Sequence, residues 1–232
     1  MYLAGNYHRN QMIRRIRSVL ALPWAYQLFF NVIGAPERSR ILVREYIRPQ
    51  PGDRILEIGC GPGTIVPFLP ESEYLGFDAS PEYIELAQKR FPGAKFVCER
   101  VSQYTLPHRE YFDIVLALGI VHHLDDSEAL QLFQIAHSAL KQGGKLVTLD
   151  GVWNNDQSRP ARYLLARDRG RFVRSQEQYV NLASQVFSNI TASVRHDLLR
   201  IPYTHIILEC IREQESTPQA NESAESQRSL DR

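Results

Sequence analysis

Three glycines at alternate positions, Gly59, Gly61 and Gly63, follow an apolar run and the acid Glu57 within the stretch ILEIGCGPGT. A bare backbone directly after a strand lets a ligand approach the main chain, and the amides at the start of a following helix favour polar or anionic groups. The spacing is G-x-G-x-G, with Thr64 where the dinucleotide fingerprint has its third glycine, which counts against a nicotinamide cofactor. A structural turn without a ligand is the bland alternative; it is disfavoured because each glycine loses conformational entropy on folding. Farther on, Asp78 closes the run YLGFD, where a carboxylate can accept two hydrogen bonds from a ribose.

A second set of residues has the chemistry of proton transfer. His122 and His123 follow the run FDIVLAL, and Asp150 ends the run GKLVTLD. Tyr203 and His205 alternate in RIPYTHI. Histidine titrates near neutrality and suits a general base, with Asp150 as good a choice; packing is the competing role for all of them. The segment RPARYLLARDRGRFVR, residues 159 to 174, holds six arginines and one acid, Asp168. Arginines three and four apart share a helical face, and their planar forks match carboxylate or phosphate. Arg159, Arg162, Trp153 and Tyr203 are therefore candidate contacts to an anionic substrate. A solvated helix with Asp168 tied to a neighbouring arginine is the other open reading.

These residues need strand ends to hold them. From Asp53 onward, short apolar runs alternate with helical patterns at 64 to 69, 81 to 90 and 127 to 140, then at about 159 to 169 and 175 to 187. Near-continuous apolar strands separated by helices indicate a parallel sheet covered on both faces. ITASVRHDLL and YTHIILECI, joined by RIP, predict an antiparallel pair at the end. The expected fold is an α/β, doubly wound, Rossmann-like sheet, mostly parallel, ending in a hairpin. Ligands then bind beyond the carboxyl ends of the strands.

At this point the residues carry a family resemblance. Glu57 to Gly63, EIGCGPG, is similar to motif I of the class I S-adenosylmethionine-dependent methyltransferases, and the likeness continues through YLGFDAS and FDIVLALGIVHHLDD across residues 53 to 150. It implies a seven-stranded sheet and S-adenosyl-L-methionine as cofactor, with S-adenosyl-L-homocysteine as product. It also implies that Gly59, Cys60, Gly61 and Gly63 hold the methionine end, with Glu57 close by. Asp78 would hold the ribose, Ala79 would lie beside the adenine, and Leu118 would offer its backbone to the amino-acid end. Where many relatives present an acid to the adenine, this chain reads FVCERVSQY, so Arg100 is expected to stack on the ring and Val101 to donate its amide. The implied reaction is methyl transfer to a small molecule. Lipid, RNA or protein acceptors and a non-catalytic cofactor-binding subunit are the alternatives.

Composition bounds the rest. A net charge of +1 over 232 residues argues against a bulk nucleic-acid binder, and ALGIVHHL lacks the Asn/Asp-Pro-Pro-aromatic turn of amino-methylating nucleic-acid enzymes. Three scattered cysteines, Cys60, Cys98 and Cys210, suggest reduced thiols in a cytoplasmic protein with no metal. The first 36 residues carry four arginines and no acid, and helical spacing predicts helices over 7 to 21, 24 to 33 and 36 to 47. Residues 1 to 48 are thus expected as a helical lid, with Tyr26 a contact to the cofactor and residues 12 to 33 a surface that could touch membrane. Residues 49 to 212 form the catalytic domain with a helical insertion at about 152 to 188. The tail, 213 to 232, lacks the apolar residues to order itself.

Overall fold

The computed structural model describes residues 32–168 and 170–213. The helices expected over 7 to 21 and 24 to 33, and Tyr26 with them, lie outside the described residues except for the last two positions, as does nearly all of the tail. Helix α1 (Ala35–Ile41) continues as a π-helical turn over Leu42–Ile47, which Arg48 ends in the left-handed region at φ 48°. Strands β1 (Arg54–Ile58), β2 (Glu73–Asp78), β3 (Lys95–Cys98), β4 (Phe112–Leu118) and β5 (Leu140–Trp153) follow in chain order. Between them stand α2 (Pro81–Arg90) and α3 (Asp126–Ala139). After β5 come α4 (Arg159–Leu165), the two-residue β6 (Arg174–Ser175), α5 (Gln176–Ala183), β7 (Asn189–Arg195) and β8 (His205–Ile211).

The sheet order is β3-β2-β1-β4-β5-β8-β7, with β6 pairing beside the end of β5. The first five strands run parallel, and β8 turns antiparallel to both β5 and β7. This is the doubly wound sheet with a terminal antiparallel pair that the sequence predicts. Because successive side chains point to opposite faces, continuous apolar runs make two cores. Leu56, Ile58, Val115 and Ala117 pack with Phe133 of α3 and Tyr179 of α5 on one face. Ile55, Ile114, Leu116 and Val147 pack with Leu42 and Ile47 beside α1, and with Ile84 of α2, on the other.

Local chemistry fixes the helix starts. Ser80, Asp125, Ser158 and Ser175 each accept an amide proton from the first turn, satisfying donors that have no partner within the helix. The helix expected over 64 to 69 does not form. Only a 3-10 turn, Val66–Phe68, stands there, and Pro67 and Pro70 account for it by removing amides and restricting the residues before them. The glycine loop consequently has no following helix N-terminus. The terminal strands are also shorter than expected: residues 196 to 204 connect them, rather than the three residues RIP.

One arginine of the 159 to 174 run is a structural strut. Arg174 is buried; its guanidinium donates to the carbonyls of Val121 (3.0 Å), Leu124 (2.9 Å) and Phe172 (3.0 Å), and to Asp126 at 2.6 Å. It ties the turn after β4 to the segment before α5. Arg174→Met, of similar length but without donors, leaves these carbonyls unsatisfied and is expected to lower stability by about 2 kcal/mol. Urea unfolding would show this as a lower midpoint at unchanged slope.

Candidate active site

The glycine loop and the turn after β4 approach so closely that a side chain at position 59 cannot be accommodated. Gly59 has φ 72°, and a Cβ there would fall 2.3 Å from Ile120 Cδ1. Gly61, at φ 52°, faces open space instead, and its amide donates to Asp78 Oδ2 at 2.9 Å. The other carboxylate oxygen of Asp78 accepts from the amide of Ser80 at 2.8 Å. Asp78 is thus oriented by two backbone donors, and each oxygen keeps a further lone pair.

A cavity of ≈ 480 Å³ lies beyond the carboxyl ends of β1, β2 and β4. Glu57, Gly59, Cys60, Gly61, Asp78, Ala79, Arg100, Val101 and Leu118 all line it, so every described cofactor residue expected from sequence except Gly63 reaches one chamber. Gly63 stands behind the wall, where a Cβ would come 3.1 Å from Phe91. Glu99 lines the cavity together with Arg100, and Phe77, stacked on Tyr104 at 3.8 Å, backs the same end. At the floor, the Tyr74 hydroxyl donates to Glu57. Burial pushes the Glu57 carboxyl up to about 8 against that hydrogen bond, with the Asp78 charge adding to the rise. Below that value Glu57 is neutral. A chamber with an oriented carboxylate, an accessible glycine backbone and a flat apolar end fits a nucleoside joined to an amino acid.

A second chamber of ≈ 240 Å³ adjoins the first, and Arg38 and Gly119 line both. His122, Asp150, Tyr203 and His205 meet here, with Ile33, Leu149, Leu199 and Ile201 as apolar wall. Asp150 Oδ1 accepts both the backbone amide of His122 (3.1 Å) and its ring Nδ1–H (2.7 Å). The other ring nitrogen lies 3.6 Å from Asp168, which accepts from the Tyr203 hydroxyl at 2.6 Å and from the Gly170 amide at 2.9 Å. Burial alone would lower His122, but the hydrogen bond and charge of Asp150 and the charge of Asp168 outweigh it and raise its pKa. His205, buried beside the Arg38 charge, is held down to about 3 and is neutral at working pH.

Several expectations change. Of the two nitrogens of His122, Nδ1 is hydrogen-bonded to Asp150 Oδ1 at 2.7 Å, whereas Nε2 stands 3.6 Å from Asp168, beyond hydrogen-bond length, and keeps its lone pair when the ring is neutral. His123 lines the first cavity, not the second. Asp168 is bound by Tyr203, not by a neighbouring arginine. Trp153, Arg159 and Arg162 line neither chamber; the Arg162 guanidinium sits 5.5 Å over the Trp153 ring. Sequence reasoning missed Arg38 and the placement of Asp168. For Asp168 the available signal was its standing as the sole acid among six arginines.

Residues 55–144 match the model of a family described as a methyltransferase domain. The chain is 28% identical over 134 residues to an uncharacterised methyltransferase of Synechocystis, covering 55% of this chain and 63% of that one. It is 28% identical over 107 residues to the tRNA (carboxymethyluridine(34)-5-O)-methyltransferase of Saccharomyces cerevisiae, covering 45% of this chain and 38% of the yeast protein. Among solved structures, phosphoethanolamine N-methyltransferase 2 of Haemonchus contortus, in complex with phosphomonomethylethanolamine and S-adenosylhomocysteine, superposes with a TM-score of 0.62 at 19% identity. That match covers 77% of this chain and 53% of the other. The chain thus spans less than two thirds of the length of each. Among the described residues, no helix is long and apolar enough to cross a membrane.

The raised pKa of His122 makes stability depend on pH. Because the folded value exceeds the ordinary 6.5, the contribution is complete below that pH and fades as pH rises through the folded value. Thermal melts between pH about 5 and 9 should show the wild type above His122→Gln in acid, with the gap closing toward alkaline pH.

Proposed function

We propose, for a chain that belongs to the class I S-adenosylmethionine-dependent methyltransferases, transfer of the cofactor's methyl group to a small molecule seated in the second chamber. The observation that carries this reading is the junction of the two cavities at Arg38 and Gly119. Displacement at a sulfonium needs nucleophile, methyl carbon and sulfur in line, so two chambers meeting at one point supply much of what the reaction requires. In this reading Asp78 holds the ribose, with Ala79, Arg100 and Val101 around the adenine. Gly59, Cys60, Gly61 and Leu118 lie along the methionine portion. Glu57, protonated near neutral pH, places no full negative charge beneath the sulfonium. The apolar wall of the second chamber suits the body of a small acceptor.

RNA is the second reading, favoured by the likeness to the yeast tRNA enzyme and by the exposed arginines of α4. A methyl-transfer assay supplied with total tRNA distinguishes them, since label entering the RNA would carry the reaction to that substrate.

Calorimetric titration with S-adenosylmethionine and, separately, with NADH tests the cofactor assignment. Binding of the first alone is expected; binding of NADH, or of neither, would sink it. Asp78→Ala should weaken S-adenosylmethionine by about 1.5–3 kcal/mol, the scale of hydrogen bonds to a charged group. Unchanged affinity in a folded variant would remove Asp78 from the ribose.

A further inference from the structure

Of the described groups lining the second chamber, His122 is the one suited to take a proton near neutral pH. Asp150 spends Oδ1 on two donors from His122, and its Oδ2 is buried. Burial would raise Asp168, but the bonds from Tyr203 and Gly170 and the nearby histidines hold its carboxyl below the ordinary range. Tyr203 gives its proton to that contact, and burial followed by the Asp168 bond pushes its phenol up. His205, held down to about 3 by burial and the Arg38 charge, is too weak a base.

His122 is arranged differently. A carboxylate can only accept, so the neutral ring carries its proton on Nδ1, facing Asp150 at 2.7 Å, and its lone pair on Nε2. Nε2 stands 3.6 Å from Asp168, beyond hydrogen-bond length, and the residue lines the chamber. Once protonated, the ring lies between two carboxylates already in place, and fixed charge aimed at a developing charge needs no reorganisation during the reaction. Around the ring stand Asp150 of β5, Asp168 after α4, Arg174 of β6, the adjoining His123 ring at 4.2 Å, and Tyr203 and His205 at the start of β8, while Arg38 of α1 lines the same chamber. Burial and Arg174 lower its pKa; Asp150 and Asp168 raise it by more, to above the ordinary 6.5.

A base is needed where the acceptor atom holds a proton that it cannot shed unaided; a carboxylate or a thiolate has no such need. Imidazole takes a proton more readily from a phenol, which titrates at about 10, than from an alcohol. A neutral hydroxyl also enters a chamber walled by Ile33, Leu149, Leu199 and Ile201 at lower desolvation cost than an ammonium does.

We propose that His122 is the general base of the second chamber, that Asp150 is the positioning residue that sets its tautomer, and that the acceptor is a phenolic hydroxyl on an apolar body, methylated on oxygen. The inference rests on the methyl-transfer reading above. An oxygen lone pair forms the bond to the methyl carbon while the carbon–sulfur bond breaks and leaves its electron pair on sulfur. The hydroxyl proton passes to Nε2. The sulfonium becomes a neutral thioether, the phenol a neutral ether and the imidazole an imidazolium, which returns its proton to water after the product leaves.

The test uses the full chain with labelled S-adenosylmethionine and three matched probes, 4-methylphenol, 4-methylbenzylamine and 4-methylbenzoate. The phenol alone should take label. Its kcat/KM should climb about tenfold per pH unit, with a midpoint above 6.5, and level off before the phenol's own value of about 10. His122→Asn keeps an amide able to donate to Asp150 but offers nothing in place of Nε2; kcat should fall by about 100-fold or more, with KM changing less and the pH dependence gone. Asp150→Asn removes the carboxylate and should move the midpoint to lower pH. Retained S-adenosylhomocysteine binding shows that each variant is folded, and the wild-type profile decides the base even where a variant is not. Wild-type kcat in a folded His122→Asn, or a rise that runs on unbroken to pH about 10, overturns the base, the latter because phenolate itself would then be the substrate. A midpoint unmoved in Asp150→Asn removes Asp150 from its role. Label on the amine or the carboxylate, or on no probe while cofactor binding is intact, overturns the proposal and leaves the methyltransferase reading standing. Failure of the wild type to bind cofactor removes the underlying reading.

Discussion

One carboxylate oxygen holds the second chamber in place. Asp150 Oδ1, near the end of β5, receives both the main chain and the ring of His122 from the turn after β4. This fixes the imidazole plane, and the plane in turn determines what can lie against it. A Cβ at Gly170 would come 2.1 Å from the ring, so the segment after α4 packs on the histidine with bare backbone. From there Asp168 reaches Tyr203 on the approach to β8. Two crossover loops and the final strand pair are thus registered through a single buried contact. In a low dielectric such hydrogen bonds polarise one another, although Asp150 Oδ2 is buried without a partner.

The first chamber is organised by backbone rather than by side-chain pairs. Asp78 is aimed by the amides of Gly61 and Ser80, and the loop amides of Gly59 and Cys60 both donate to the carbonyl of Phe77. The loop therefore takes its shape from β2, the strand beside it, with no helix following it. Its floor is a neutral pair, Glu57 and Tyr74, in which burial suppresses ionisation of both groups. The two chambers differ in kind: one presents oriented main chain, the other a network of fixed side-chain charge.

That difference explains what the sequence could disclose. Chain order, alternation of apolar runs and glycine spacing are local properties, and they located β1, β2, β4 and β5 together with Glu57, Asp78 and Leu118. The second chamber depends on contacts between residues far apart in the chain. Asp168 and Tyr203 stand 35 residues apart, and Arg174 and Val121 stand 53 apart. An arginine that braces two loops and an arginine in solvent have the same local pattern, so Arg174 could not be separated from Arg159 or Arg162. Arg38 lay in a helix whose apolar face was legible, but the side it turned toward the sheet ends was not. The missing helix at 64 to 69 is a different failure, because Pro67 and Pro70 were in plain view and outweighed the apolar spacing.

Helix α1 and its π-helical turn are made before any strand of the sheet they cover. Leu42 and Ile47 pack among Ile114, Val147 and Ile207. Lys145 donates to the Tyr46 carbonyl at 2.7 Å, and Arg48 pairs with Glu209. These partners belong to β4, β5 and β8, so during synthesis the seat of α1 is complete only when the last strand has been made. The junction of the chambers is closed by the same helix through Arg38. Although α1 is the first described element to leave the ribosome, it is among the last to find its seat, and the junction of the two chambers is complete only when α1 meets β8.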